Sequence, residues 1–392
     1  MNRIVVVGAS LAGLTAAETL REEGFDGELI LINGETHIGY DRPPLSKKIL
    51  SGAMNATEVT LKPAEFFTAN CINHRIGMRA TALDLTARSI ALATGEILAF
   101  DGLLIATGLR PRPLLRQPVL RGLHMLRTLD DAAALRADML DTPAIVIVGA
   151  GFLGLEVAAT ARQMGLDVTL VDPMELPMAK QVGRELAAAV LHKHRQQGVE
   201  VRCGSSVRSF EESKGQVTGV SLEDGAQLPT KLVVVAIGSL TNTEWLQASG
   251  LPLDNGVVCD SFCRAAPGVY AAGDVANWLH PRLGVQMRFE HRMHATEQAM
   301  AAARNMLGAG LAFDPLPYFW TDFYDTRIQV FGRIPAEYEM TVLSGHLGES
   351  GFTAAFCQGG IVEAVAGWNA ARDIRKISTL VGNPAPKEAV AG

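Results

Sequence analysis

Cysteine is scarce in this chain: five residues in 392, and no two of them spaced C-x-x-C. That spacing carries the usual redox dithiol and the common zinc and iron–sulfur frameworks, so its absence argues against all three, and no bound metal is expected. An excess of positive charge is also missing. The 35 basic residues are outnumbered by 41 acidic ones, for a net charge of −6, which argues against nucleic acid as a partner. Long apolar runs are absent too, since none reaches the roughly 18 residues of a membrane span. The N-terminal run IVVVGASLAGL is broken by glycines and has no basic stretch ahead of it, so it reads as a strand turning into a helix rather than a signal peptide. These absences lead to the expectation of a cytoplasmic protein that touches neither membrane nor nucleic acid.

What is present is a large apolar fraction, 48%, in a chain longer than one core sustains. Single cores stop growing near about 250 to 300 residues, so two or three domains are expected. Two glycine-rich loops organise them. Residues 4–20, IVVVGASLAGLTAAETL, combine a β-branched run, a turn with Gly8, Ser10 and Gly13, and an alanine-rich helix. Residues 144–165, AIVIVGAGFLGLEVAATARQMG, repeat the plan with an intact G-x-G-x-x-G at Gly149, Gly151 and Gly154. In such a loop the first glycine permits a tight turn, the second lets the backbone approach a pyrophosphate, and the third lets helix and strand pack closely. The helix N-terminus then supplies an anion site. A second strand follows each helix, ELILINGE and DVTLVDP, and an acidic residue closes each one, at Glu35 and Asp172. Two complete units imply two dinucleotides. Ser10 stands where the first loop would have its middle glycine; its hydroxyl can itself donate to a phosphate.

Two further stretches have the character of buried strands ending in a crevice. FDGLLIATGLRPRPL (100–114) runs into Ala106, Thr107 and Gly108, and GVYAAGDVANW (268–278) runs into Gly273 and Asp274. A carboxylate at such a strand end accepts hydrogen bonds from ribose or ribitol hydroxyls, a role that suits Asp274. The helix expected over residues 293–308 would direct its positive N-terminal end into the same crevice.

Taken together, YDRPPLSK (40–47), the Ala-Thr-Gly and Ala-Ala-Gly-Asp-Val strand ends, VGAGFLGLE (148–156) and PYFWTDFYDTRIQVFG (317–332) resemble the FAD-dependent NADH:ferredoxin reductase family. That family serves Rieske dioxygenases and bacterial P450 enzymes, and the resemblance runs over essentially the whole chain. It implies an α/β, glutathione-reductase-like fold with two Rossmann-type dinucleotide-binding domains and a C-terminal α+β domain. The expected division is an FAD domain from residues 1–113 and 243–314, an NADH domain at 114–242, and a C-terminal domain at 315–392. The implied reaction passes electrons from NADH through FAD to a [2Fe–2S] ferredoxin. Disulfide-reducing relatives carry a redox cysteine in the segment where this chain has RPPLSK, so without a thiol there the electrons must leave singly.

The resemblance also implies roles for residues. Arg42 and Lys47 are placed by it near FAD, with Arg127, Glu290 and His291 as further FAD contacts. Glu156 approaches the nicotinamide and pairs with Lys47, and Trp320 lies against the flavin and nicotinamide. Phe152, Leu153, Ile237 and Gly238 complete the expected NADH site. The acceptor is less firmly specified than the cofactors, because Arg292, His294 and Phe323 depart from the family pattern. Rubredoxin is the rival acceptor, and an NADH-sensing flavoprotein of the apoptosis-inducing-factor kind is the rival class. A monomer or weak homodimer is expected. The pairs His291/His294 and His192/His194 have no third ligand nearby; the first reads as surface or flavin-edge, and the second as part of an exposed helical run.

Overall fold

The computed structural model describes residues 1–386; residues 387–392, the end of the expected C-terminal domain, lie outside the described residues. The chain divides into two compact units. One comprises Met1–Asp41, Thr57–Arg110 and Ser239–Pro315, the other Arg42–Ala56, Pro111–Gly238 and Leu316–Gly392.

The first unit is built on a six-stranded sheet whose order is Arg264–Ala266, Val269–Ala271, Gly102–Ile105, Arg3–Val7, Glu28–Asn33, Ile72–Ile76. All neighbours are parallel except the first pair. Central strands of a parallel sheet are covered on both faces, which is why Ile4, Val5, Val6 and Val7 form a continuous apolar run and are all buried. Helices Leu11–Glu22 and Arg292–Met306 pack against each other over this sheet, bringing small residues such as Ala16, Ala17, Ala299 and Ala302 into its core. The helix expected over residues 293–308 runs from Arg292 to Met306.

The second unit contains a five-stranded parallel sheet, ordered Glu200–Cys203, Asp167–Asp172, Ala144–Val148, Val233–Val235, Leu123–His124. Helix Phe152–Gln163 follows the strand Ala144–Val148 and completes the second βαβ unit. The same unit holds a five-stranded antiparallel sheet, ordered Tyr318–Phe323, Thr326–Gly332, Ile361–Trp368, Phe352–Gln358, Glu339–Ser344, on which helix Ala371–Ile377 packs. Strand Tyr318–Phe323 lies against helix Phe152–Gln163.

Residues 42–56 group with this second unit although the chain on either side of them belongs to the first. The two prolines do not give a simple extended stretch. Pro44, at φ −69° and ψ −17°, leads into a π-helical turn, Leu45–Ile49, in which the Ile49 amide donates to the Pro44 carbonyl at 3.0 Å. Such wide turns are rare and cluster at functional sites. Side chains of the second unit tie the turn down: the Thr160 hydroxyl donates to the Ser46 carbonyl at 2.7 Å and Arg136 to the Leu50 carbonyl at 2.9 Å.

One expectation is corrected by this architecture. His194 does not lie on an exposed face; it is fully buried, with its ring 5.1 Å from both Phe323 and Tyr324. Helix Arg184–Gln196 buries Leu186, Val190 and His194, a row at i, i+4 and i+8, so the histidine falls on the apolar stripe. His192 is exposed and interacts with Gln196 at 2.9 Å. His294 is buried as well, among Trp278, Phe289 and Phe313, and is therefore not a surface histidine.

Candidate functional site

In the first unit the turn after strand Arg3–Val7 is closed by backbone crowding that only glycine tolerates. Gly8 has φ +111°, and a Cβ on it would lie 2.1 Å from the Ala106 carbonyl oxygen; a Cβ on Gly13 would lie 1.7 Å from the Gly8 carbonyl oxygen. Ser10 is the N-cap of helix Leu11–Glu22, yet its side chain makes no capping hydrogen bond. Helix Arg292–Met306, whose N-cap is His291, also begins without a side-chain cap. Both helix ends thus keep backbone N–H donors that an anionic group can take.

Around these ends the remaining first-unit candidates are held by specific bonds. Tyr40 donates its hydroxyl to the Glu35 carboxylate. Thr107 donates to the Asn242 carbonyl at 2.8 Å and receives the Asn242 side-chain amide at 2.9 Å, so its hydroxyl serves the strand end itself. Gly273 and Asp274 open a short 3-10 turn. The Gly273 amide donates to Gln298 Oε1 at 2.9 Å, and Arg288 donates to the Asp274 carbonyl at 3.1 Å. Arg288 also pairs with Glu290 at 2.7 Å, while Ser239 donates to both Glu290 oxygens. Gln298 and Arg288 were not found by reading the sequence; only the position of Gln298 on the helix after His291 could have signalled it. Burial pushes His294 down to about 4, against an opposing pull from Asp274. Arg292 is engaged with Asp41 at 2.7 Å.

In the second unit Gly149 and Gly154 repeat the crowding of the first loop. Gly151 differs instructively: a Cβ there would meet nothing within 4 Å, so the space ahead of helix Phe152–Gln163 is open, and this helix too lacks a side-chain cap. Open space with uncapped donors suits a pyrophosphate. Asp172 receives the Ala150 amide on Oδ2 at 2.7 Å and the Met174 amide on Oδ1 at 2.8 Å, which ties the strand end to the loop and leaves each oxygen a second acceptor position. Gly238 accepts from the Arg112 amide at 3.0 Å. Burial, followed by the carboxylate of Asp172, raises the Cys203 thiol; Glu175 adds to this and Arg195 opposes it.

Glu156 is the most densely bonded of the candidates. Its Oε2 receives the Ser46 hydroxyl at 2.6 Å and the Lys47 ammonium at 2.7 Å, and its Oε1 receives the Thr321 hydroxyl at 3.1 Å. The Lys47 and Glu156 side chains are 24% and 12% exposed, mostly enclosed yet open enough to meet a ligand. The helix and strand explain the geometry. Phe152 and Glu156 lie at i and i+4 on one helix face, and Phe319 and Thr321 lie at i and i+2 on one strand face; Phe152 packs against Phe319 at 5.3 Å. Trp320 sits on the opposite strand face, beside Tyr318 at 5.8 Å and with the Arg327 guanidinium 5.4 Å from its ring centre. The structure therefore brings Lys47 and Glu156 together and adds Ser46 and Thr321, while Trp320 points away from Glu156. Arg42 donates to the Arg127 carbonyl at 2.7 Å, and Arg127 is set in place by the Thr128–Asp131 capping box at the start of helix Leu129–Leu140. Phe323 is buried packing, edge-on to Trp368.

The pyridine nucleotide-disulphide oxidoreductase family model matches residues 2–302, over three quarters of the chain. The chain belongs to that family. A model of the reductase C-terminal domain matches residues 318–391. Putidaredoxin reductase of Pseudomonas putida is 33% identical over 397 residues, covering 99% of this chain and 93% of the relative. The ferredoxin–NAD(+) reductase component of the anthranilate 1,2-dioxygenase system of Burkholderia cepacia is 35% identical over 381 residues, covering 96% and 93%. Among solved structures, the putidaredoxin reductase chain of its covalent complex with putidaredoxin superposes with a TM-score of 0.92 at 32% identity, covering 98% of this chain and 94% of that one. The family fold is glutathione-reductase-like, and the protein is an FAD- and NADH-dependent oxidoreductase of the ferredoxin reductase kind. Among the described residues no helix is long and apolar enough to cross a membrane.

Proposed function

We propose that this protein transfers electrons from NADH through FAD to a [2Fe–2S] ferredoxin that supplies a Rieske dioxygenase or a P450 enzyme. FAD, when bound, accepts a hydride from NADH and gives up its electrons one at a time. The chain supplies binding and orientation. Gly8, Ser10 and Gly13 with the uncapped helix Leu11–Glu22 would receive the FAD pyrophosphate, Glu35 and Asp274 its hydroxyls, and Arg42 and Arg127 positive charge. Gly149, Gly151 and Gly154 would receive the NADH pyrophosphate. In this reading residues 1–113 and 243–314 form the FAD domain, 114–242 the NADH domain and the remainder the C-terminal domain. Lys47 and Glu156 orient the nicotinamide, and Trp320 excludes water from the flavin on the ferredoxin side.

The observation that supports this most is the Glu156 cluster, a carboxylate fixed by one cation and two hydroxyls beside an uncapped, glycine-fronted helix. The test is the reduction of a [2Fe–2S] ferredoxin by the flavin-loaded protein with NADH, followed by cytochrome c as a final acceptor. Activity toward artificial dyes alone, with no ferredoxin reduction, would remove the proposal.

Two expected outcomes follow. The carboxylates of Asp172 and Glu175 repel a 2′-phosphate, so kcat/KM for NADH should exceed that for NADPH at least about tenfold, or ~1.4 kcal/mol. Equal efficiencies would show that Asp172 does not read the ribose. Replacing all five cysteines by serine or alanine should leave ferredoxin-linked cytochrome c reduction nearly intact. Three of the thiols are buried, and burial pushes that of Cys259 up to about 12, far from a reactive thiolate. A folded, flavin-loaded variant without activity would mean that a thiol takes part.

A further inference from the structure

A carboxylate has about four acceptor positions, two on each oxygen. On Glu156 both positions of Oε2 are taken, by Ser46 at 2.6 Å and Lys47 at 2.7 Å, and one position of Oε1 is taken by Thr321 at 3.1 Å. Among the described residues nothing takes the fourth acceptor position, on Oε1. Lys47 already neutralises the carboxylate, so the two hydroxyls are not needed for charge. They are both 2% exposed and each is fixed independently, Ser46 on the π-helical turn held by Thr160, and Thr321 in a strand paired at Ile328. Their effect is on direction: with two donors from the π-helical turn on one oxygen and one from the strand on the other, the carboxylate is held against rotation and the open position faces one way.

We propose that Ser46 and Thr321 are positioning residues that aim the open Oε1 position of Glu156 at the carboxamide N–H of the nicotinamide, and so make the site selective for dinucleotides that carry that donor. This rests on the reading that Glu156 meets the nicotinamide. The selectivity is for a donor: a ring bearing an acetyl group, which has the carbonyl but a methyl in place of the NH2, offers nothing to the open position. A hydrogen bond to a charged group contributes about 1.5 to 3 kcal/mol, so its loss is worth on the order of tenfold to a hundredfold in affinity.

The experiment measures dissociation constants of NAD+ and of its 3-acetylpyridine analogue for the oxidised, FAD-loaded protein by calorimetry. The native protein should bind NAD+ at least about tenfold more tightly than the analogue. The double variant Ser46→Ala/Thr321→Val should keep its flavin and its visible spectrum while that ratio collapses to within about threefold, because the carboxylate is then held by Lys47 alone. Thr321→Ser, which keeps the hydroxyl, should preserve the ratio. If the double variant weakens both nucleotides equally, or leaves the ratio unchanged, Ser46 and Thr321 do not position Glu156 and the proposal falls, with the role of Glu156 untouched. Equal binding of the two nucleotides by the native protein would overturn the contact between Glu156 and the nicotinamide, and the proposal with it.

Discussion

Glu156→Ala should slow reduction of the bound flavin by NADH about a hundredfold while the protein keeps its FAD. The substitution removes the group on which Ser46, Lys47 and Thr321 converge, and it leaves an ammonium that is three-quarters enclosed without its counter-charge. A misplacement of about 1 Å in a reacting pair costs on the order of a hundredfold, or ~2.7 kcal/mol. Glu156→Gln is expected to fall between, since it retains a carbonyl oxygen for two of the donors but loses the charge. The readout is the rate constant of flavin bleaching on anaerobic mixing with NADH, over a range of NADH concentrations. A variant that bleaches at the native rate with unchanged NADH dependence would reduce Glu156 to a helix-surface carboxylate.

Acid should destabilise the native protein, with His194 expected to contribute about 3 kcal/mol of the loss. Burial pushes this imidazole from its ordinary value of 6.5 down to about 4. The folded state therefore refuses a proton that the unfolded chain accepts. Above pH 6.5 the ring is neutral in both states and contributes no pH dependence. Between 6.5 and about 4 the stability falls by about 1.4 kcal/mol per pH unit, and below that window the loss levels off. The ring has no compensating carboxylate: Tyr324 meets its Nδ1 at 3.2 Å, and the Nε2 is buried without a hydrogen-bond partner among the described residues. Lys193 and Asp325 pair with each other at 2.9 Å beside it. His194→Phe should flatten the fall of the unfolding midpoint between pH 7 and pH 4.5, at a modest constant cost from the stranded Tyr324 hydroxyl. Parallel curves for the native protein and the variant would show that the ring is charged in the folded state.

The two residues behind these predictions were legible to different degrees. Both βαβ units could be read directly, because Gly8, Gly13, Gly149 and Gly154 are dictated by local crowding that involves the loop and the next strand end. The pairing of Lys47 with Glu156 came from a resemblance, and the residues around it could not be read at all. Ser46 and Thr321 are 110 and 165 positions from Glu156, and a buried hydroxyl leaves no pattern in the sequence. The double proline announced a constrained segment, yet the π-helical turn and its grouping with the second unit depend on contacts from Thr160 and Arg136 far along the chain. His194 was misjudged for a different reason. The residue type suggested a polar face, whereas the spacing Leu186, Val190, His194 already placed it inside.

Trp320 marks the limit of reading a site from a motif. Trp320 was expected against the flavin and nicotinamide, and alternation along strand Tyr318–Phe323 puts it on the face opposite Phe319 and Thr321. Phe319 and Thr321 meet helix Phe152–Gln163, and Trp320 joins Tyr318 and Arg327 on the other side.

In the proposed reaction electrons enter from NADH and leave singly to a [2Fe–2S] ferredoxin. The direct test is a sequential anaerobic stopped-flow experiment, in which the flavin-loaded protein is first reduced with one equivalent of NADH and then mixed with two equivalents of oxidised ferredoxin. The flavin absorbance should return within the turnover time of the protein while both ferredoxin molecules lose their oxidised spectrum. Flavin that stays bleached in the presence of oxidised ferredoxin, and recovers only when oxygen is admitted, would contradict the account.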